Sequence, residues 1–198
     1  MVLELARKYK EGIYLSIDFQ ILDFIQAHMR CDFLDTVMPF VTKLGDVGLI
    51  WIALALTLLL IPKARRAGAA VVAGLLLEAL CCNVWLKPMV ARIRPYDVNT
   101  AVQLLISKPV DFSFPSGHTA AAFASTAALY TSKNRLWLPA LVLSVLLAFS
   151  RMYLYVHYPT DVLGGALLGG LSGWLGNSVI RGILIWKKHG QSKDSFGK

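Results

Sequence analysis

Residues 67–86 read AGAAVVAGLLLEALCCNVWL, a run in which Glu78 is the single formal charge. A helix rises 1.5 Å per residue and needs about 20 mostly apolar residues to cross the hydrocarbon core of a bilayer, so this run is of spanning length. Working outward, four more charge-poor blocks stand at Val47–Pro62, Gly117–Thr131, Leu136–Leu154 and Val162–Trp186. The shorter ones are admitted by tilt or by protein covering their ends. The expectation is an all-α integral membrane helical bundle with five spans over 47–186. The whole chain agrees: 56% of its 198 residues are hydrophobic and 16% are charged, against roughly half and a quarter in soluble domains. Those proportions exclude a soluble globule and a disordered chain alike.

Residues 1–46 are different. Glu4, Arg7, Lys8, Lys10 and Glu11 interrupt the start, and no signal-peptide pattern follows. Ile17, Ile21, Phe24, Ile25 and Met29 recur at helical spacing opposite Asp18, Asp23, Gln26 and Arg30. Leu34, Val37, Met38, Val41 and Leu44 repeat the pattern after Asp32, a candidate N-cap. The spacing predicts two amphipathic helices lying in the headgroup plane, with fusion into a sixth, imperfect span as the alternative. Residues 187–198 form a basic tail.

The bases give an orientation. Lys63, Arg65 and Arg66, then Lys133 and Arg135, then the tail with Lys187, Lys188, Lys193 and Lys198 all fall on one side of a five-span bundle. By the positive-inside rule that side is cytoplasmic. The net charge of +8 therefore reads as membrane orientation, and no nucleic-acid motif accompanies it. Lys87, Arg92, Arg94 and Arg151 are then left on the outer side, where orientation alone does not put them.

Three clusters converge there. Lys87 and Arg94-Pro95 offer a mobile point charge and a planar fork, both suited to phosphate oxygens. In Pro115-Ser116-Gly117-His118 a turn feeds a helix, with Ser116 as candidate N-cap and the helix N-terminus as an anion site. Ser150-Arg151 is followed by His157 and Asp161; with Thr160 read as the N-cap of the last helix, the carboxylate of Asp161 can fix the tautomer of His157 and leave the other nitrogen as a nucleophile. An anion pocket holding a nucleophile and an acid fits phosphoryl transfer.

These residues resemble the type 2 phosphatidic acid phosphatases, or lipid phosphate phosphatases, whose signature is Lys-x6-Arg-Pro, Pro-Ser-Gly-His and Ser-Arg-x5-His-x3-Asp. Every fixed position is matched, by Lys87, Arg94, Pro95, Pro115, Ser116, Gly117, His118, Ser150, Arg151, His157 and Asp161. The resemblance implies that His157 attacks phosphorus to form a phosphohistidine, oriented by Asp161, and that Lys87, Arg94, Arg151, Ser116 and the Gly117 N–H hold the phosphate. It implies that His118 protonates the departing oxygen and then activates water, with no metal and no cofactor. The compact layout resembles bacterial undecaprenyl-diphosphate phosphatases and phosphatidylglycerophosphate phosphatases of the cytoplasmic membrane, with the pocket facing outward; the resemblance favours undecaprenyl diphosphate as substrate, with phosphatidylglycerophosphate or phosphatidate as the alternative. The expected partners are a lipid phosphate or lipid diphosphate substrate and membrane lipids, with no nucleic acid; oligomeric state is open. A phosphoryltransferase is an enzyme alternative, and a non-catalytic lipid-binding protein is the alternative of another class.

Other residues carry plainer expectations. Glu78 stands nine positions before Lys87, about half a turn away around an α-helix, with packing and substrate handling both open to it. Asn83 shares the Lys87 face. Gly165, Gly169 and Gly173 form a small-residue stripe for close helix contact, internal packing being the first reading and dimerisation the second. Cys31, Cys81 and Cys82 read as small apolar fillers, His28 and His189 as surface residues, and Arg92 as a secondary phosphate contact.

Overall fold

A computed structural model describes the backbone of residues 17–195 and the side chains of residues 17–187. The charged start, from Glu4 to Glu11, and the side chains of Lys188, His189, Lys193 and Lys198 lie outside the described residues. Every described regular element is helical. Helices α1 (Ile17–His28) and α2 (Asp32–Leu44) are separated by a turn, then a 3-10 turn at Asp46–Gly48 leads into α3 (Leu49–Leu60). Helix α4 (Arg65–Ala79) continues through a π segment (Leu80–Leu86) into α5 (Lys87–Val90), and a short α6 (Pro95–Val98) follows. Helices α7 (Gly117–Thr131), α8 (Trp137–Tyr153) and α9 (Pro159–Ser195) complete the bundle. Each of the charge-poor blocks falls on a helix, and α9 runs on through most of the basic tail.

By length and hydropathy together, the stretch Arg65–Val98 is long and apolar enough to cross a bilayer, and Asp32–Leu44 with Asp46–Leu60 is a second such element if the pair, bent by 42°, is one unit. The bend divides the chain differently from the sequence reading: α1 and α2 are not fused, and α2 leads across a break into α3.

The centre is built from small residues. Helix α7 buries Ala120, Ala121, Ala122, Ala124 and Ala128, and Ala is the strongest helix former. Helix α9 lays its glycines against that face. A Cβ at Gly165, Gly169 or Gly173 would stand 2.6, 2.2 or 2.1 Å from the carbonyl oxygens of Ser116, Ala120 and Ala124. Both series advance by about four residues, so α7 and α9 run side by side in the same direction, backbone against backbone. On its other side α9 meets α4, where a Cβ at Gly176 would stand 2.6 Å from the Gly74 nitrogen. The stripe therefore serves internal packing. Large side chains such as Val142, Val145, Leu163, Leu167 and Leu171 are exposed, an arrangement of small inside and large outside that suits a hydrocarbon surround.

The apolar stripe read from the spacing of α1 is mostly left exposed. Ile17, Ile21, Phe24 and Met29 are exposed, while Phe19, Leu22 and Ile25 are buried with Asp18. The polar positions of α1 face the bundle: Asp18 meets Arg92 and Thr160, Asp23 accepts from the Tyr155 hydroxyl at 2.7 Å, and Gln26 donates to the Tyr153 carbonyl at 2.8 Å. The surface α1 packs on is mixed: beside these polar contacts, Phe19, Leu22 and Ile25 enter a cluster with Leu154, Tyr155 and Tyr158. The set Leu34, Val37 and Met38 of α2 does turn inward, onto a cluster with Tyr96 and Tyr153. Asp32 is not the N-cap of α2; Cys31 holds that position, with no side-chain cap. His28 is exposed and stacked on Phe24, as a surface residue.

Because α9 touches α7 through backbone, Gly173→Ala is expected to overpack the contact at a cost of about 1–3 kcal/mol. Gly182→Ala, with nothing within 4 Å of its Cβ, should hold or raise stability, since Ala is favoured over Gly in a helix by about 0.5–1 kcal/mol. Thermal unfolding in detergent checks this, and equal midpoints for the two variants would refute the close approach.

Candidate active site

Parallel packing sets the N-terminus of α7 beside that of α9, and the Ser116 N–H donates to the Asp161 carbonyl at 3.1 Å. The end of the α4–α5 run and the last turn of α8 close the same space. A cavity of about 1100 Å³ opens there, lined by Lys87, Arg94, Gly117, His118, Arg151 and His157 together with apolar side chains including Ile52, Leu56, Val72 and Leu75. Of the sequence-expected site residues, Ser116 and Asp161 are the two behind this lining.

Lys87 is brought to the cavity by the π segment before it. A π turn takes more residues than the 3.6 of an α-helix, so the expected half-turn separation from Glu78 does not hold: Glu78, Asn83 and Lys87 all line the cavity. Buried Lys87 pairs its ammonium with the Asp111 carboxylate. Arg94, 3% exposed, is held just before Pro95 at the first position of α6. Its Nη2 donates to Asp111 Oδ1 at 2.6 Å, its Nε to the Asp111 carbonyl at 2.8 Å and its Nη1 to the Val156 carbonyl at 2.7 Å. Nη1 also lies 3.1 Å from His157 Nε2. Arg151 donates from Nη1 to the Thr42 hydroxyl, and among the described residues its buried Nε has no partner. An unpaired buried donor costs about 1–3 kcal/mol, more when charged, and an anion in the cavity would satisfy it.

His157 sits in the link between α8 and α9, 2% exposed. Burial, with Arg94 and Arg151 nearby and opposed by Asp161, pushes its imidazole down to about 3. The ring is neutral at physiological pH. Nδ1 lies 3.5 Å from Asp161 Oδ2, within ion-pair range and longer than a hydrogen bond. The Asp161 carboxylate is fully occupied elsewhere: it accepts from the Tyr158 N–H at 2.9 Å, from the Ser113 hydroxyl and from Arg92 Nη1 at 2.6 Å. Helix α9 starts at Pro159 rather than after Thr160, so Asp161 reaches back over the first turn in the manner of a capping box. Thr160 is inside the helix, its N–H and hydroxyl both given to Asp18.

Two further expectations change. Arg92 bridges Asp18 and Asp161, with its guanidinium 3.9 Å over the Tyr158 ring, and is not among the cavity residues. Ser116 is the N-cap of α7 by position, but its hydroxyl makes no cap; it accepts from the Thr119 hydroxyl at 2.9 Å. The Gly117 N–H is left at an uncapped helix start, and a Cβ there would stand 3.6 Å from Lys87 Nζ.

Sequence reasoning missed two acids. Burial alone would raise the Asp111 carboxyl, but Lys87 and Arg94 outweigh it and bring it down to about 2. Asp46, bracketed by Gly45 and Gly48, accepts at Oδ1 from His118 Nε2 at 2.9 Å. The signals available were slight: an acid inside a basic connection, and an acid in a glycine-flanked turn. Among the described residues no three His, Cys, Asp or Glu side chains converge as a metal site.

Comparison with known proteins identifies the family. The chain is 35% identical over 139 residues to an undecaprenyl-diphosphatase of Sulfolobus acidocaldarius, a match covering 69% of this chain and 66% of that one. It is 34% identical over 146 residues to the undecaprenyl-diphosphatase BcrC of Bacillus subtilis, covering 72% of each. The crystal structure of a transmembrane PAP2-type phosphatidylglycerolphosphate phosphatase from Bacillus subtilis superposes with a TM-score of 0.66 at 27% identity, over 92% of this chain and 96% of that one. The sequence profile of the PAP2 superfamily matches residues 67–183, a span that contains every motif residue from Lys87 to Asp161, and the chain belongs to that superfamily as an all-helical membrane phosphatase.

Proposed function

We propose that the protein removes the terminal phosphate of undecaprenyl diphosphate, leaving undecaprenyl phosphate, through a phosphohistidine on His157. The observation that carries this reading is a neutral, buried imidazole whose Nε2 lies beside Arg94 in a cavity shared with Lys87, Arg151 and apolar side chains. The names of the relatives support the prenyl diphosphate. The Bacillus structure, matched over nearly its whole length, supports phosphatidylglycerophosphate as the second substrate.

In the first step His157 Nε2 attacks phosphorus. The P–N bond forms as the P–O bond to the lipid breaks, and His118 gives a proton to the departing oxygen. Lys87, Arg94, Arg151 and the Gly117 N–H hold the three equatorial oxygens, where charge is spread in the transition state. Ser116 supports the turn that presents Gly117 and His118. Water then attacks the phosphohistidine, His118 takes its proton, and the P–N electron pair returns to Nε2 as phosphate leaves. Asp161 holds the His157 side of the site through the first turn of α9. An incoming phosphate competes with Asp111 for Lys87 and Arg94, so binding requires that carboxylate to move aside. The chemistry uses no metal and no cofactor.

The protein lies in the cytoplasmic membrane with five spans and the cavity outward. The N-terminal helices then sit at the outer interface, with Ile17, Ile21 and Phe24 toward lipid. In a background with exposed Cys31 replaced by Ser, cysteine at Asp97 is expected to label with an impermeant reagent in intact cells, and cysteine at Asn134 only after permeabilisation. The reverse pattern would invert the orientation.

Activity is expected to persist in a strong chelator and to be inhibited by vanadate, which copies the trigonal-bipyramidal phosphoryl group. Asp111→Asn should tighten vanadate inhibition by removing its competitor. Loss of activity with chelator and return with Mg²⁺ would overturn the phosphohistidine route.

The two histidines should separate by substrate. His157→Ala is expected to abolish turnover on every substrate. His118→Ala should slow phosphatidate hydrolysis by about 10²–10⁴-fold, the usual worth of a general acid. It should slow prenyl diphosphate hydrolysis less, because the phosphate monoester that leaves has a second pKa of about 6 and needs the proton less than an alkoxide does. Equal losses on the two substrates would show that the assignment of His118 is wrong.

A further inference from the structure

The acid nearest His118 comes from outside the three motifs and outside the region matched to the family. Asp46 stands in the break between α2 and α3, half-exposed and on the cavity wall, with Oδ1 2.9 Å from His118 Nε2. The backbone around it is shaped for that contact. Val47 and Gly48 both have positive φ, 52° and 69°, and for a β-branched residue that conformation is costly. The Val47 side chain is 86% exposed, so its own burial does not explain the strain. Helix α2 has already ended at Leu44, and the reversal that follows Asp46 leads the chain into the next helix while the carboxylate stays against His118 of α7. On the other side, a Cβ at Gly45 would stand 2.8 Å from His118 Cδ2, so the loop backbone lies flat against the imidazole.

From these contacts we infer that Asp46 is the positioning residue for His118. A carboxylate that accepts one imidazole N–H fixes the ring and its tautomer and leaves the other nitrogen for proton exchange. With Nε2–H committed to Asp46, Nδ1 is the atom that donates to the departing oxygen and then receives the proton of water. The carboxylate also offsets part of the repulsion between a protonated His118 and the neighbouring Lys87 and Arg151. The break between α2 and α3 thus belongs to the active site, as Thr42, the partner of Arg151, already indicates. This inference rests on the acid and base role given to His118 above.

A double-mutant cycle tests it. Asp46→Asn keeps the shape and removes the charge; it is expected to lower kcat on phosphatidate by about tenfold or more with KM within about twofold. The loss should be smaller on prenyl diphosphate. Asp46→Glu, a second variant that keeps the carboxylate, should retain more activity than Asp46→Asn. In a His118→Ala background Asp46→Asn should cost nothing further, because its effect passes through the ring that is gone. The same fold-loss in both backgrounds, or no loss in the wild type, would overturn the inference. If His118→Ala alone leaves both substrates untouched, it is the role of His118 that fails, and that result is read independently of Asp46.

Discussion

The backbone contact between α7 and α9 is the constraint on which the site depends. Gly165, Gly169 and Gly173 let α9 approach the carbonyl ridge of α7 to distances that no side chain would permit. The two helices run in the same direction, so both positive ends open on the same cavity. One supplies Gly117 and His118, the other begins two residues after His157. The Ser116–Asp161 hydrogen bond joins the two helix starts directly. Each glycine in a helix interior costs roughly 0.5–1 kcal/mol relative to alanine. That cost is offset by dispersion contacts along a seam where apolar burial gives little drive, since lipid is as apolar as the interior.

Charge then decides what the cavity can hold. Lys87, Arg94 and Arg151 are each buried, and buried cations persist only when paired or hydrogen-bonded. Asp111 answers Lys87 and Arg94, Thr42 answers one nitrogen of Arg151, and among the described residues the Arg151 Nε–H has no acceptor. The cluster is thus neutralised in part by a residue on the long connection between α6 and α7. An incoming phosphate brings more acceptor oxygens than a single carboxylate and can satisfy the remaining donor as well. Neutral His157 adds no further positive charge, so its lone pair stays available in a strongly cationic surround.

Legibility in the sequence followed the range of the interactions. The helices were readable because spanning length and hydropathy are local. The motif residues were readable because their chemistry is compact in sequence. Contacts made by distant segments were not. Arg92 sits within the spacing of the first motif, yet Asp18, from 74 positions away, and Asp161 draw it out of the cavity. Glu78 and Lys87 were placed on opposite sides because a π segment leaves no clear mark in LCCNVWL. Asp111 and Asp46 belong to no motif, and only the folded chain shows which cations and which histidine they meet.

The face that α1 turns to the bundle follows from the same physics. Amphipathic spacing locates a polar stripe and an apolar stripe, but which one is turned inward depends on what surrounds the helix. Against the core of a soluble protein the apolar stripe goes in. Here the inner surface presents, beside its aromatic cluster, Arg92, the Thr160 N–H, the Tyr155 hydroxyl and the Tyr153 carbonyl, groups that need partners more than they need cover. Asp18, Asp23 and Gln26 supply them, and Ile17, Ile21 and Phe24 are left facing out. The Asp18–Arg92 pair reaches Asp161 and hence the first turn of α9, so the polar stripe of α1 also braces the helix start beside which His157 is held.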